Sequence, residues 1–239
     1  MLLLIWLLLL GSAFQQGLGS WKVNNPENLQ GVSGSCVVIP CTFNFPNDVN
    51  PNQGVIAIWY RDYADAERKT VVSHSGDPAQ VGSRYQGRAV FLGKPEQKTC
   101  NLLIRELSPK DNGDYNFRFE IIGGDRWSAK RSTTIKVTDE PSSPTIASPT
   151  HLQEDTQVTF SCSTPYVCPE DKSPLSWHGQ DPVRSNTSEL RVLEPTGVSY
   201  RQSLSVALSW RDHGRLLSCQ FSGAGKQSQG EIRLQVKCK

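Results

Sequence analysis

The chain has 239 residues, with 25 Lys and Arg against 23 Asp and Glu, a net charge of +2. That balance argues against a dedicated nucleic-acid binder, which carries a clear basic excess. Apolar residues at 37% suffice for packed cores and exceed what a disordered chain carries, and the length allows one or two domains. Seven cysteines are too many for an ordinary cytosolic protein and fit an oxidising compartment.

The first ten residues read MLLLIWLLLL, an apolar run too short to span a bilayer as a relaxed helix. Small residues follow, up to Gly19 and Ser20. The segment 1–19 fits a cleaved signal peptide, although no Lys or Arg precedes the apolar run. No later stretch approaches the roughly 18 apolar residues of a membrane span. The chain is therefore expected to be extracellular: secreted, or at the plasma membrane if it is the ectodomain portion of a longer receptor.

Beyond residue 20 the pattern is strand-like. Short runs rich in Val, Ile, Thr, Phe and Tyr fall at 36–41, 55–60, 100–104, 115–121 and 132–137, separated by Gly, Pro, Asn and Asp clusters. Residues 138–144, TDEPSSP, break the pattern and read as a linker. Strand-like runs then restart at 158–162, 175–177, 200–208, 216–221 and 232–236. The expected domains are 20–138 and 139–237. Each half has a Cys followed by a Trp (Cys41 then Trp59, Cys162 then Trp177) and then an Asp-x-Gly corner (Asp111 to Gly113, Asp212 to Gly214). In an immunoglobulin sandwich the Trp packs on the core disulfide and the corner leads into strand F. The fold class is all-β, two tandem immunoglobulin-like sandwiches, V-type then C2-type.

Cys162 on strand B and Cys219 on strand F are expected to bridge the sheets of the second domain. In the first domain Phe117 stands where the strand F cysteine belongs, in Asp111-Asn-Gly-Asp-Tyr115-Asn-Phe117. The available partner for Cys41 is then Cys100, on what should be strand E, in the same sheet as strand B. Cys36 lies five residues before Cys41, so by strand alternation it points away from the core. It has a possible mate in Cys168 of the second domain; the alternative is two free or intermolecular thiols. Cys238 is left over, to pair with another chain or with sequence beyond this one.

These features resemble the Siglec family, the sialic-acid-binding Ig-type lectins, and within it the sialoadhesin-like members. The likeness rests on Ser20-Trp21, Gly34-Ser-Cys36, Ile39-Pro-Cys41, Ala57-Ile-Trp-Tyr60, Tyr115-Asn-Phe-Arg-Phe-Glu120, Arg126-Trp127, Cys162-Ser-Thr-Pro-Tyr166 and Leu208-Ser-Trp-Arg-Asp-His-Gly214. It implies the same cysteine plan, a bridge within the first domain's B–E sheet and Cys36–Cys168 between domains. It also implies a site. Arg118 takes the sialic acid carboxylate, Trp21 packs on the N-acyl methyl, and Trp127 packs on the glycerol chain. Arg126 and Ser128 supply backbone hydrogen bonds, and Tyr63 contacts the adjoining galactose of a glycan, α-2,3-linked by expectation.

The residues agree with that site. With Tyr115 and Phe117 facing the core, Asn116, Arg118 and Glu120 face out. A guanidinium matches a carboxylate bidentately, which an ammonium does not. The competing reading is an Arg118 that is merely solvated or paired with Glu120. Arg84 reads as structural, paired with Asp111, and Trp59, Trp177 and Trp210 as packing residues. Asn186-Thr-Ser188 is a glycosylation sequon in a loop-like stretch. The four histidines are scattered, so no metal site is expected, and no cofactor or catalytic motif stands out. The expected function is a lectin binding sialylated glycoproteins and glycolipids in cell adhesion, not an enzyme and not a nucleic-acid binder. The alternative is an Ig-type receptor or ligand that binds another protein through its V domain.

Overall fold

A computed structural model describes residues 20–166, 168–169, 173–194 and 197–238; the signal-peptide expectation for 1–19 lies outside them. The first sandwich is built from β1 (Lys22–Asn24), β2 (Asn28–Val32), β3 (Val37–Ile39), β4 (Thr42–Asn44), β5 (Val55–Arg61), β6 (Thr70–His74), β7 (Ala89–Phe91), β8 (Leu102–Ile104), β9 (Gly113–Ile121), β10 (Arg126–Ser128) and β11 (Thr133–Thr138). One sheet runs β2-β11-β9-β5-β6, with β10 added beside β9. Facing it is β3-β8-β7, and β1 pairs with β4. The second sandwich has β12 (Thr145–Ala147), β13 (Gln157–Thr164), β14 (Leu175–His178), β15 (Ser185–Glu194), β16 (Gly197–Ala207), β17 (Leu216–Gly223) and β18 (Lys226–Arg233). Its sheets, β12-β13-β16-β15 and β14-β17-β18, reproduce the four-plus-three plan of a constant-type immunoglobulin domain. Two tandem sandwiches are thus present.

All three disulfides form as the sequence led us to expect: Cys41–Cys100, Cys162–Cys219 and Cys36–Cys168. Cys100 also donates its amide to the Cys41 carbonyl at 2.8 Å, so that bridge joins neighbouring strands of one sheet. Phe117, fully buried, occupies the space between the sheets, and the equally buried Trp59 donates its indole N–H to the Cys100 carbonyl at 2.9 Å. Alternation explains the split of the cysteines. Val37, Ile39 and Cys41 line the core, while Cys36 and Val38 form an outer cluster with Leu103, against which Cys168 packs. The two modules meet over more than this bond. Val32 of β2 belongs to the second domain's core cluster, and Tyr166 donates to Gln30 at 3.4 Å.

Three expectations need correction. Asn116 does not face solvent. It is 5% exposed because the loop from Ala129 to Ser132 folds over it, and its Nδ2 donates to the Ala129 carbonyl (3.0 Å) and Ser132 Oγ (3.3 Å). Trp210 is not a packing residue: it is 59% exposed, with the Arg211 guanidinium 5.6 Å from its ring. Asn186 lies in strand β15, on the open edge of its sheet, and not in a loop.

The corner before β9 is held by Asp111, which is fully buried. Ser108 and Asp111 form a reciprocal capping box, and Tyr115 donates its hydroxyl to the Asp111 carbonyl at 2.9 Å. The second domain repeats the device with Ser209 and Asp212. Arg84 pairs with Asp111 at 3.0 Å, as anticipated, but Arg88, which no sequence pattern singles out, pairs more closely at 2.7 Å and is less exposed. Burial alone would raise the Asp111 carboxyl, yet hydrogen bonds from Arg88 and Ser108 hold it below the usual carboxylate range. A depressed folded-state pKa stabilises the domain above the ordinary value, and that contribution is lost as pH falls through the depressed one. Arg88→Ala is expected to cost about 3 kcal/mol, because it weakens a buried pair. Arg84→Ala should cost less, about 1 kcal/mol, since its side chain reaches solvent. Thermal melts at neutral pH check the order, and melts at descending pH should show the wild-type advantage over an Asp111→Asn variant shrinking in acid.

Candidate functional site

The exposed face of the β2-β11-β9-β5-β6 sheet carries Arg118 at the centre of β9. Its neighbours in register are Ile58 of β5 and Ser128 of β10. Ile58, only 3% exposed, lies beside the arginine stem. The Arg118 side chain is itself just 17% exposed, more enclosed than a solvated surface arginine. Its Nε donates to Glu120 Oε1 at 2.7 Å, and its Nη1 donates to Ser128 Oγ at 3.2 Å and to the Tyr63 hydroxyl at 3.4 Å. Tyr63 and Ser128 are hydrogen-bonded to each other at 3.1 Å. Burial would lower the Arg118 pKa, but Glu120 and Tyr63 raise it on balance, so the cation is permanent. The hydrogen bond with Ser128, aided by the Arg118 charge, holds the Tyr63 phenol below its usual value. Lys69 Nζ lies 4.5 Å from the Tyr60 ring centre and 4.6 Å from that of Tyr63, adding a second cation to the face.

Strand β10 gives this face a polar rim. Among the described strands it pairs only with β9. Ile121 donates its amide to the Asp125 carbonyl, and Ala129 donates to the Phe117 carbonyl, each at 2.8 Å. Bonded pairs in an antiparallel ladder alternate, so Trp127 is the residue between them that bonds inward to Phe119. The N–H and C=O groups of Arg126 and Ser128 therefore point away from β9, along an unpaired edge.

The two tryptophans sit on the other side of the sheet. Trp127 is paired with the buried Phe119 and shares its face. Trp21 stacks on Trp127 (ring centres 5.8 Å apart) and on Phe119 (5.7 Å). Both indoles are half-buried and pack against the first domain's core. They lie on the opposite face from the guanidinium, packed beneath β10. Arg118, Ser128 and Tyr63 are brought together directly, and Arg126 adjoins them through the rim. Glu120, weighed in the sequence only as a competitor for Arg118, belongs to the cluster. Its two-residue spacing from Arg118 along one strand was the available signal.

Residues 32–140 match the family model described as B-cell receptor CD22-like, first Ig-like, and residues 140–229 match the CD80-like C2-set immunoglobulin domain. The chain is 30% identical over 222 residues to myelin-associated glycoprotein of Rattus norvegicus, covering 92% of this chain and 35% of that protein. It is 28% identical over 242 residues to sialic acid-binding Ig-like lectin 9 of Homo sapiens, covering 99% and 50%, and 29% identical over 238 residues to sialic acid-binding Ig-like lectin 13 of Pan troglodytes, covering 98% and 59%. The chain belongs to the Siglec family. It spans between 35% and 59% of the length of these relatives. The family is one of Ig-domain lectin receptors and not of enzymes, so in this Siglec the Arg118 cluster is to be judged as a binding site.

The arrangement can hold a carboxylate on the guanidinium, polar groups on the β10 rim and apolar groups on the indole edges. Arg118→Lys keeps the charge but loses the planar fork, and a shorter ammonium does not reach Ser128 and Tyr63 as the guanidinium does. Binding to a sialylated trisaccharide should fall at least about tenfold, roughly 1.4 kcal/mol, with the melting temperature nearly unchanged. Arg118→Ala should fall to background. Titration followed by NMR, alongside thermal melts, checks both.

Proposed function

We propose that this chain is the ligand-binding portion of an extracellular lectin that takes terminal sialic acid on glycoproteins and glycolipids and serves cell–cell adhesion. One observation carries the reading: a half-buried arginine cation lies against two hydroxyls, beside a strand edge whose backbone groups are unpaired. Sialic acid presents a carboxylate, an N-acyl group and a glycerol chain. The first suits Arg118, the polar atoms suit the rim at Arg126 and Ser128, and the apolar parts suit Trp21 and Trp127. Tyr63, hydrogen-bonded to Arg118, would meet the adjoining sugar, and an α-2,3 linkage is the proposed preference. Asn186, exposed on β15 and remote in sequence from this face, is proposed to carry an N-glycan. No helix of the described residues is long and apolar enough to cross a membrane. As part of a longer receptor this portion would stand at the cell surface; otherwise the protein is secreted.

The site is open and a small sugar stays largely hydrated in it. A charge-assisted bond contributes roughly 1.5–3 kcal/mol and association entropy offsets much of the remainder. A monovalent trisaccharide is therefore expected to bind with a Kd on the order of 1 mM, about 4 kcal/mol, and adhesion then depends on many copies. Cells should bind the multivalent protein and lose that binding after sialidase treatment. Binding that survives sialidase would favour recognition of another protein through the same sheet face.

A further inference from the structure

A guanidinium can meet a carboxylate in two bidentate ways: side-on, through Nε and Nη2, or end-on, through Nη1 and Nη2. In Arg118 the side-on approach is taken. Nε donates to Glu120 Oε1 at 2.7 Å, and the two carry opposite charges. Among the described residues Nη1 donates to the hydroxyls of Ser128 and Tyr63 alone, at 3.2 and 3.4 Å, long for charge-assisted bonds. Nη2 donates to nothing among the described residues. Nη2 is thus the free donor, and the end-on edge opens to a carboxylate that displaces one of these two long contacts from Nη1.

We propose that Glu120 is a positioning and specificity-determining residue of the glycan site. It tethers Nε, which turns the end-on edge of Arg118 toward the ligand, and it cancels the arginine's charge at a distance. A simple anion gains little from a neutralised pair with one blocked side. An acid sugar that reaches the end-on edge and also contacts Ser128, Tyr63 and the β10 rim gains the whole set. Selectivity for sialic acid over other acid sugars then arises from Glu120 as well as from Arg118. The role is legible in the chain, because Glu120 sits two residues from Arg118 on the same strand face and is 35% exposed, close enough to solvent for its charge to be felt by the ligand.

This inference rests on the lectin reading above, and two variants separate them. Glu120→Gln keeps an oxygen for the Nε bond and removes the charge. Glu120→Ala removes both. Titrations with 3′-sialyllactose and with glucuronic acid, followed by NMR, are compared with wild type and Arg118→Ala. Glu120→Gln should bind glucuronic acid about three- to tenfold more tightly, by relief of like-charge repulsion, so that the sialyllactose-to-glucuronate ratio narrows. Glu120→Ala should bind sialyllactose more weakly than Glu120→Gln, reporting the lost tether, with both variants melting near wild type. If Arg118→Ala abolishes binding while both Glu120 variants keep the wild-type ratio, the role assigned to Glu120 is wrong and the lectin site stands. If Arg118→Ala binds sialyllactose like wild type, the lectin reading itself fails.

Discussion

Cys41 and Cys100 are linked within one sheet, both by their sulfurs and by a 2.8 Å backbone hydrogen bond. The space between the sheets is thereby left to side chains, and an aromatic column fills it. Trp59, Phe117, Phe43 and Phe119 are in contact along the core, with ring centres 4.6–5.5 Å apart at successive steps. The column continues through Trp21 to Trp127 at the edge of the domain. Strand β10 therefore rests on packed rings on one face and presents its free backbone edge beside Arg118 on the other. Burial of several aromatic side chains, each contributing about 1.5–3 kcal/mol, fixes the edge strand from which the site is built. A cystine across the sheets would have occupied the position that Phe117 takes in this column.

Rigidity extends to the pair of modules. The Cys36–Cys168 bond, the burial of Val32 in the second core and the Tyr166–Gln30 contact all cross the junction. An open site of low intrinsic affinity gains from such stiffness, because many sites held in one orientation lose less entropy when they engage a surface together.

The sandwich class and the Cys41–Cys100 and Cys162–Cys219 bridges were legible in strand periodicity and in which cysteine position is vacant, whereas Cys36–Cys168 needed the family resemblance to decide it. Strand periodicity also placed Arg118 outward. Alternation failed at Asn116, where the loop between β10 and β11 roofs a position that local pattern marks as exposed. It also could not find Arg88, whose partnership with Asp111 joins residues 23 apart through a corner with no repeating pattern. The tryptophans were recognised as unusual, but which face they occupy depends on the register of β10, which no local pattern fixes. Trp210 was misread because an aromatic beside a repeated motif resembles a core residue, whereas the capping box around it needs only Ser209 and Asp212.

The central claim is that a sialylated glycan lies along the free edge of β10, with its carboxylate on Arg118. Amide hydrogen exchange resolved by residue tests this most directly. The Arg126 and Ser128 amides should exchange fast in the free protein and slow when 3′-sialyllactose saturates the site, while the inward-bonded Trp127 amide stays protected in both states. Exchange at 126 and 128 that is unchanged by saturating ligand, or a Trp127 amide that becomes the one newly protected, would contradict the account.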